Sequence, residues 1–250
     1  MIGAGALINR FARAVATYEA EATVQRRAAE RLAEMLGAHC HLLAPRILEI
    51  GCGTGLLSRR LMARFSPSEL ILNDLCPDMG ICFANVPRTR FLAGDARTTP
   101  WPGQFDVVAS ASAVQWFGDL GAFAARCAAV LPKGGFLAVS CFGPKTLQET
   151  AALSGRGLVY PDFASFSATL AEWFEPLEQD SAVEQLVFPD GFAVLRHLKA
   201  TGVTATGAGE APWTRGRLAA FAEAYGRQFP AEAGGVRVTY EPFWFVGVRR

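Results

Sequence analysis

Charge of one sign is what this sequence lacks first: 24 Lys and Arg stand against 23 Asp and Glu, a formal net charge of +1. Binding nucleic acid through a global basic field needs a large positive excess, so that partner class is set aside. An acidic protein would have to be met by a local patch. Long apolar runs are also lacking. No stretch approaches the ~20 residues that cross a bilayer, which argues against a membrane-spanning helix in these residues. Residues 1–7 are apolar and Gly-rich but carry no leading positive charge, and they are too few for a signal segment. A soluble, cytoplasmic protein is expected. The six cysteines (Cys40, Cys52, Cys76, Cys82, Cys127 and Cys141) contain no CxxC pair. They lie scattered through apolar segments, as free thiols of a reducing compartment do. His39-Cys40-His41 is the one metal-like cluster, but consecutive side chains diverge and no second ligand group follows. A loop at a helix end, without metal, is the expectation.

What is present is 51% hydrophobic residues over 250 positions, enough to bury one sizeable core. Val24, Ala28, Leu32 and Leu36 recur every four residues, the period of a helix over 20–36. Short apolar runs at 46–50, 70–73, 90–95, 105–110 and 136–141 read as strands. Helical segments at 56–65 and 119–130, and one opened by Pro77, fall between them. Strands alternating with helices across short turns predict an α/β fold, a parallel sheet with helices on both faces. After 142 the pattern changes: helices at 163–173, 191–200 and 214–229 surround a strand at 183–188, and the chain closes with a strand over 236–248. One domain, 1–250, is expected: a helical segment 1–44, a core 45–142, and a cover 143–250 over the sheet's carboxyl edge, where open α/β sheets bind ligands.

The chemistry is concentrated at Glu49-Ile50-Gly51-Cys52-Gly53-Thr54-Gly55. Glycines between a strand and a helix let backbone approach a small ligand and adopt φ values that other residues resist. Dinucleotide sites place the third glycine one position later, where this chain has Leu56. A carboxylate ahead of the first glycine suits a ligand bearing an ammonium group better than a pyrophosphate. Asp74 follows Gly55 by 19 positions, at the end of the second strand, where a carboxylate accepts hydrogen bonds from ribose hydroxyls. Asp95 closes the third strand, within reach of an adenine amino group. Asp is also a common helix cap, and that alternative stands for Asp95 taken alone.

The Leu48-to-Gly55 run, Asn73-Asp74, Gly94-Asp95 and Leu131-Pro132-Lys133-Gly134-Gly135 together resemble class I methyltransferases, Rossmann-like enzymes that use S-adenosylmethionine. Further segments narrow the resemblance to the malonyl-acyl carrier protein O-methyltransferases of biotin synthesis. They are Ala16-Thr17-Tyr18-Glu19 with Gln25-Arg26, Ala113-Val114-Gln115-Trp116, Leu195-Arg196-His197-Leu198-Lys199-Ala200-Thr201-Gly202, and the tail Thr239-Tyr240 with Phe245-Val246-Gly247-Val248. Ala111 departs from a polar residue of some members. The resemblance implies a mostly parallel seven-stranded sheet with a helical cover. It implies a cofactor set of Glu49, Gly51, Cys52, Gly53, Gly55, Asp74, Met79, Asp95, Ala96 and Ser110. The implied reaction methylates the free carboxylate of a malonyl thioester on acyl carrier protein or coenzyme A, and leaves S-adenosylhomocysteine.

A malonyl carboxylate is ionised near neutrality and needs no general base, so the lack of a Ser/His/Asp or Cys/His constellation fits. A group must still hold it. Tyr18, Gln115, Arg196 and Lys199 are the candidates, with His197 beside them. Arg196 and Lys199 share one face of a helix and equally suit a solvated basic face or contacts to pantetheine and an acidic carrier, joined by Arg26, Arg27 and Lys145. Tyr18 equally suits a buried tyrosine with a satisfied hydroxyl. Methylation of another small acid or other acceptor, a nicotinamide-dependent oxidoreductase and a non-catalytic binding module are the competing functions.

Overall fold

The computed structural model describes residue 8 and residues 17–155, 157–203 and 214–250. The readings made on residues 1–7 and on Ala16 lie outside them. Seven strands form one sheet in the order β3-β2-β1-β4-β5-β9-β6, where β1 is Arg46–Ile50, β2 Glu69–Asp74, β3 Thr89–Ala93, β4 Val107–Ala111, β5 Phe136–Phe142, β6 Phe174–Ser181 and β9 Pro242–Arg249. The first five pair in parallel, and β9 runs antiparallel between β5 and β6. This is the Rossmann-like class I methyltransferase sheet. Its central strands β4 and β5 are buried almost throughout, as strands covered on both faces must be.

Alternate residues feed the two faces. Leu48, Ile50 and Val108 pack with α3 (Leu120–Val130) and α5 (Phe163–Ala171), through Phe123, Cys127, Phe166 and Leu170. Ile47, Val107 and Ala109 pack on the opposite face with α1 (Thr23–His39) and α2 (Leu56–Phe65). The four-residue stripe of α1 is that buried face, and the Trp244 indole N–H fastens it by donating to the Ala28 carbonyl at 2.9 Å. His39 ends α1 and pairs with Glu178, and Cys40 caps the helix. Among the described residues no His, Cys, Asp or Glu cluster is arranged to hold a metal, and no helix is long and apolar enough to cross a membrane.

The second half differs from the expectation in three places, one of them the unanticipated helix Gln148–Ser154. The closing segment is two strands in two sheets. β8 (Val236–Tyr240) pairs antiparallel with β7 (Glu184–Phe188), and the chain leaves it at Glu241 to enter β9. Pro242, which has no N–H to donate, starts β9, while Glu241 bonds to Gly143 and to the Thr146 hydroxyl. β6 was not anticipated. Its Phe-Glu-Pro-Leu-Glu-Gln-Asp-Ser sequence reads as a loop, yet a sheet-edge strand tolerates Pro176, and after buried Phe174 half-buried residues alternate with exposed ones. The cover consists of β7, β8, α4 (Gln148–Ser154), α6 (Gly191–Ala200) and α7 (Arg215–Gln228) around Val194, Leu198, Tyr225, Val238 and Tyr240. Asp190 and Thr214 cap α6 and α7 through their side chains.

Candidate active site

The carboxyl ends of β1, β2 and β4 converge on a cleft of about 1210 Å³, counting its mouth. Its floor is the turn between β1 and α2. Gly51 sits at φ 71°, and a Cβ there would lie 2.3 Å from the Ala113 side chain, so position 51 tolerates only glycine. The amides of Gly51 and Cys52 donate to the Asn73 carbonyl at 2.8 and 3.0 Å. The Gly53 amide donates to Asp74 Oδ2 at 2.9 Å, and the Cys76 amide to Asp74 Oδ1 at 2.8 Å. Asp74 thus shapes the loop, and each oxygen keeps a lone pair for a ligand hydroxyl. Asn73, a residue the motif analysis left without a role, also donates to Leu92 and Gly94 and so holds the end of β3 against β2.

Glu49 lines the cleft although it is almost wholly buried, and its Oε2 meets no hydrogen-bond partner among the described residues. Burial, reinforced by the charge of Asp74, pushes its pKa up to about 8. Such an orphaned oxygen carries a desolvation cost that a cationic ligand group relieves. Cys52, Gly53, Met79 and Ala96 line the same cleft, as does Asp95. Asp95 is paired: its carboxylate accepts from the Arg97 guanidinium at 2.6 Å, and this bond holds its pKa below the usual range. Gly55 lies behind the cleft lining, at φ 99° where α2 begins.

Ser110 is a correction. It is fully buried, it does not line the cleft, and its hydroxyl donates to the Ile50 carbonyl at 2.8 Å. The cleft wall after β4 is instead Ala111, Ser112 and Ala113, because the strand runs one residue further than read before the chain turns at Ser112 (φ 56°).

A smaller pocket of about 390 Å³ adjoins the cleft and shares Tyr18, Gln25, Ser112 and Trp116 with it. Tyr18 and Gln115 therefore come together here. The Gln115 amide donates to the Ser112 carbonyl at 2.7 Å, and its Oε1 is buried without a partner among the described residues. Gln25, Thr146, Tyr160, Thr201 and Tyr240 complete the polar lining, and none of them was singled out as a site residue. One signal was available, since the chain has only four tyrosines and three of them line this pocket. Burial raises the pKa values of Tyr18, Tyr160 and Tyr240, so all three remain neutral donors.

Arg196 and Lys199 are not brought to this place. Both are exposed on α6, whose buried face carries Val194, His197 and Leu198. The described residues lining the smaller pocket include no Lys, Arg or carboxylate. Arg26 donates to the Glu19 carbonyl, Arg27 pairs with Glu184, and Lys145 pairs with Glu241.

Comparison with known proteins agrees with this geometry. A family model described as "Methyltransferase domain" matches residues 48–139. The malonyl-[acyl-carrier protein] O-methyltransferase of Bacteroides thetaiotaomicron is 36% identical over 98% of this chain and 97% of its own. That of Porphyromonas gingivalis is 38% identical over 96% and 94%. The chain belongs to the malonyl-[acyl-carrier protein] O-methyltransferase family. The fold of the N-methyltransferase NodS from Bradyrhizobium japonicum, solved with S-adenosyl-L-homocysteine, is similar at a TM-score of 0.55 and 14% identity, over 93% of this chain and 98% of that one. As a member of this family the chain is an O-methyltransferase dependent on S-adenosylmethionine. The residues present fit that cofactor: an orphaned buried carboxylate for its ammonium, a second carboxylate for its ribose, and a glycine turn no side chain obstructs.

Proposed function

We propose that this chain methylates the free carboxylate of a malonyl thioester presented by an acyl carrier protein, the acceptor named for its relatives. The observation that carries the reading is the smaller pocket, lined by neutral donors and joined to the glycine-turn cleft through Tyr18, Gln25, Ser112 and Trp116. Glu49, Gly51, Cys52, Gly53, Asp74, Met79, Asp95 and Ala96 would hold the cofactor, with Gly55 and Ser110 supporting from behind. S-adenosylmethionine supplies an electrophilic methyl group on a sulfonium.

The chain's own work is to align and to desolvate. Tyr18, Gln115 and Tyr160 would orient the acceptor carboxylate by hydrogen bonds. Neutral donors suit this task because a guanidinium would stabilise the ionised nucleophile before reaction and lower its reactivity. The aromatic faces of Trp116 and Phe142 exclude water. No base is required, because the malonyl carboxyl is ionised near neutrality.

A protein carrier is favoured over coenzyme A by Arg196 and Lys199, which stand exposed on α6 outside the pocket. An acidic carrier surface would meet them there, while nucleic acid and membrane have no part in this reading. Incubation of malonyl-acyl carrier protein with S-adenosylmethionine, followed by mass spectrometry, should show a gain of one methyl group. Unchanged malonyl thioester, with another small acid methylated instead, would remove malonyl as the acceptor and leave the cofactor half standing.

A further inference from the structure

His197 is buried in the cover, yet both of its ring nitrogens have partners. Nε2 lies 2.8 Å from the Tyr240 hydroxyl and Nδ1 lies 3.3 Å from Glu21 Oε2. Tyr240 lines the pocket assigned above to the acceptor, and Glu21 is half-exposed at the molecular surface. A line of three groups therefore runs from solvent to the acceptor pocket. The Phe188 ring of β7 packs against the imidazole at 4.8 Å between centroids.

The direction of these hydrogen bonds depends on one proton. Neutral imidazole facing an ionised Glu21 donates from Nδ1, so Nε2 must accept from the Tyr240 O–H. The tyrosine proton is then spent on the histidine, and the oxygen turns only lone pairs toward the pocket. Imidazolium donates from both nitrogens. Tyr240 then accepts from Nε2, and its own proton is free to be offered elsewhere. A carboxylate in the pocket is repelled by the first arrangement and bound by the second.

We propose that Glu21, His197 and Tyr240 form a relay in which imidazolium His197 frees the Tyr240 proton to hold the acceptor carboxylate. His197 is thus a positioning residue, and its proton enters from solvent past Glu21 as the acceptor binds. The inference rests on the smaller pocket's being the acceptor site. The titratable groups meeting the ring are Glu21 from the N-terminal segment and Tyr240 from β8. Tyr18, Tyr160 and Glu149 act on Tyr240 from its other sides, and Arg196 and Lys199 of α6 are turned to solvent. Burial lowers the pKa of His197 and Glu21 pulls it back up, so the free protein holds the ring neutral near pH 7 and the anionic acceptor brings the proton with it.

The sign separates this role from general-base catalysis. A base loses activity as pH falls, whereas the relay weakens acceptor binding as pH rises. Between about pH 6 and about pH 8, a range around the ~6.5 reference value of histidine, KM for malonyl-pantetheine should rise while kcat stays flat. Glu21→Gln should displace that profile to lower pH. Tyr240→Phe should raise KM roughly tenfold at the acid end, the effect of one charge-assisted bond lost, and flatten the profile. His197→Ala, which takes away the group that claims the Tyr240 proton, should hold KM near its acid-end value across the whole range, and His197→Gln, which keeps an N–H toward Tyr240, should likewise bind without pH dependence.

Nitrogen-15 histidine NMR of the full chain gives a readout that needs no turnover. Saturating malonyl-pantetheine should raise the titration midpoint of His197, and Glu21→Gln should lower it. A KM independent of pH, or a Glu21→Gln profile that superimposes on the parent, overturns the relay. So does methylation with an unmoved His197 midpoint, which leaves the proposed function standing. A midpoint raised by malonyl-pantetheine without methylation supports the relay and overturns the function. Neither binding nor turnover overturns both.

Discussion

Glu49→Gln tests the cofactor cleft through a property that has nothing to do with turnover. The fold holds this carboxyl almost wholly buried with one oxygen unmatched, and burial moves its pKa from 4.5 to about 8. Gln keeps the shape and removes the titration. In the unfolded chain the carboxyl ionises near its ordinary value, so over that interval the unfolded state binds fewer protons than the fold. The stability contributed by the buried neutral acid is full at low pH and is lost as pH rises, by about 1.4 kcal/mol per unit. Across the whole interval the loss reaches about 5 kcal/mol. Parent and variant should therefore unfold alike in urea at about pH 4, and the variant should be the more stable by several kcal/mol, of the order of that ~5 kcal/mol, at about pH 8. The same substitution should damage function. The ammonium of S-adenosylmethionine, charged below an α-amino pKa of ~8, favours ionised Glu49, so the parent's affinity should climb up to tenfold per unit toward pH 8 with one proton released. At that pH the variant should bind roughly 10–150-fold more weakly, the ~1.5–3 kcal/mol of a charged hydrogen bond. Titration calorimetry in buffers of different ionisation enthalpy measures both affinity and proton release. Parallel stability curves for the two proteins, or an unchanged affinity, would refute the reasoning.

Asp74→Ala should lower cofactor affinity at least tenfold, beyond ~1.5 kcal/mol. The change removes a ribose acceptor together with the bonds to the Gly53 and Cys76 amides, and calorimetry on a variant of native circular dichroism reads it. Arg196→Ala and Lys199→Ala should leave cofactor affinity and turnover of malonyl-pantetheine within about twofold, because both side chains are exposed away from the cleft and its neighbouring pocket. Their effect should appear with the protein carrier, as a raised KM that added salt also produces in the parent. A tenfold loss on the small thioester would return the carboxylate clamp to α6.

The cofactor half was legible because its chemistry is local. Glu49, the glycines, Asp74 and Asp95 each lie at or just past the end of a strand, and parallel βαβ units bring consecutive strand ends to one edge of the sheet. Strand period and turn residues therefore sufficed to gather them along the cleft, while Gly55 lies behind its lining and Ser110 faces away from it, where the extra residue of β4 shifts the wall to Ser112. The acceptor half was not legible in this way. Tyr18, Gln115, Tyr160 and Tyr240 come from four distant segments, and no periodicity links them. Arg196 and Lys199 looked suitable because they are charged, but helix α6 spends its buried face on Val194, His197 and Leu198, so the spacing that pairs the two also turns them outward. The break at Glu241 matters most. It sends Tyr240 into the cover sheet and Pro242 into the main one, and only that crossing puts a tyrosine hydroxyl beside His197 at the wall of the pocket. Short-range pattern decides which residues end a strand. Which distant hydroxyls face one another is decided by how the cover packs, a matter of long-range burial that no local spacing encodes.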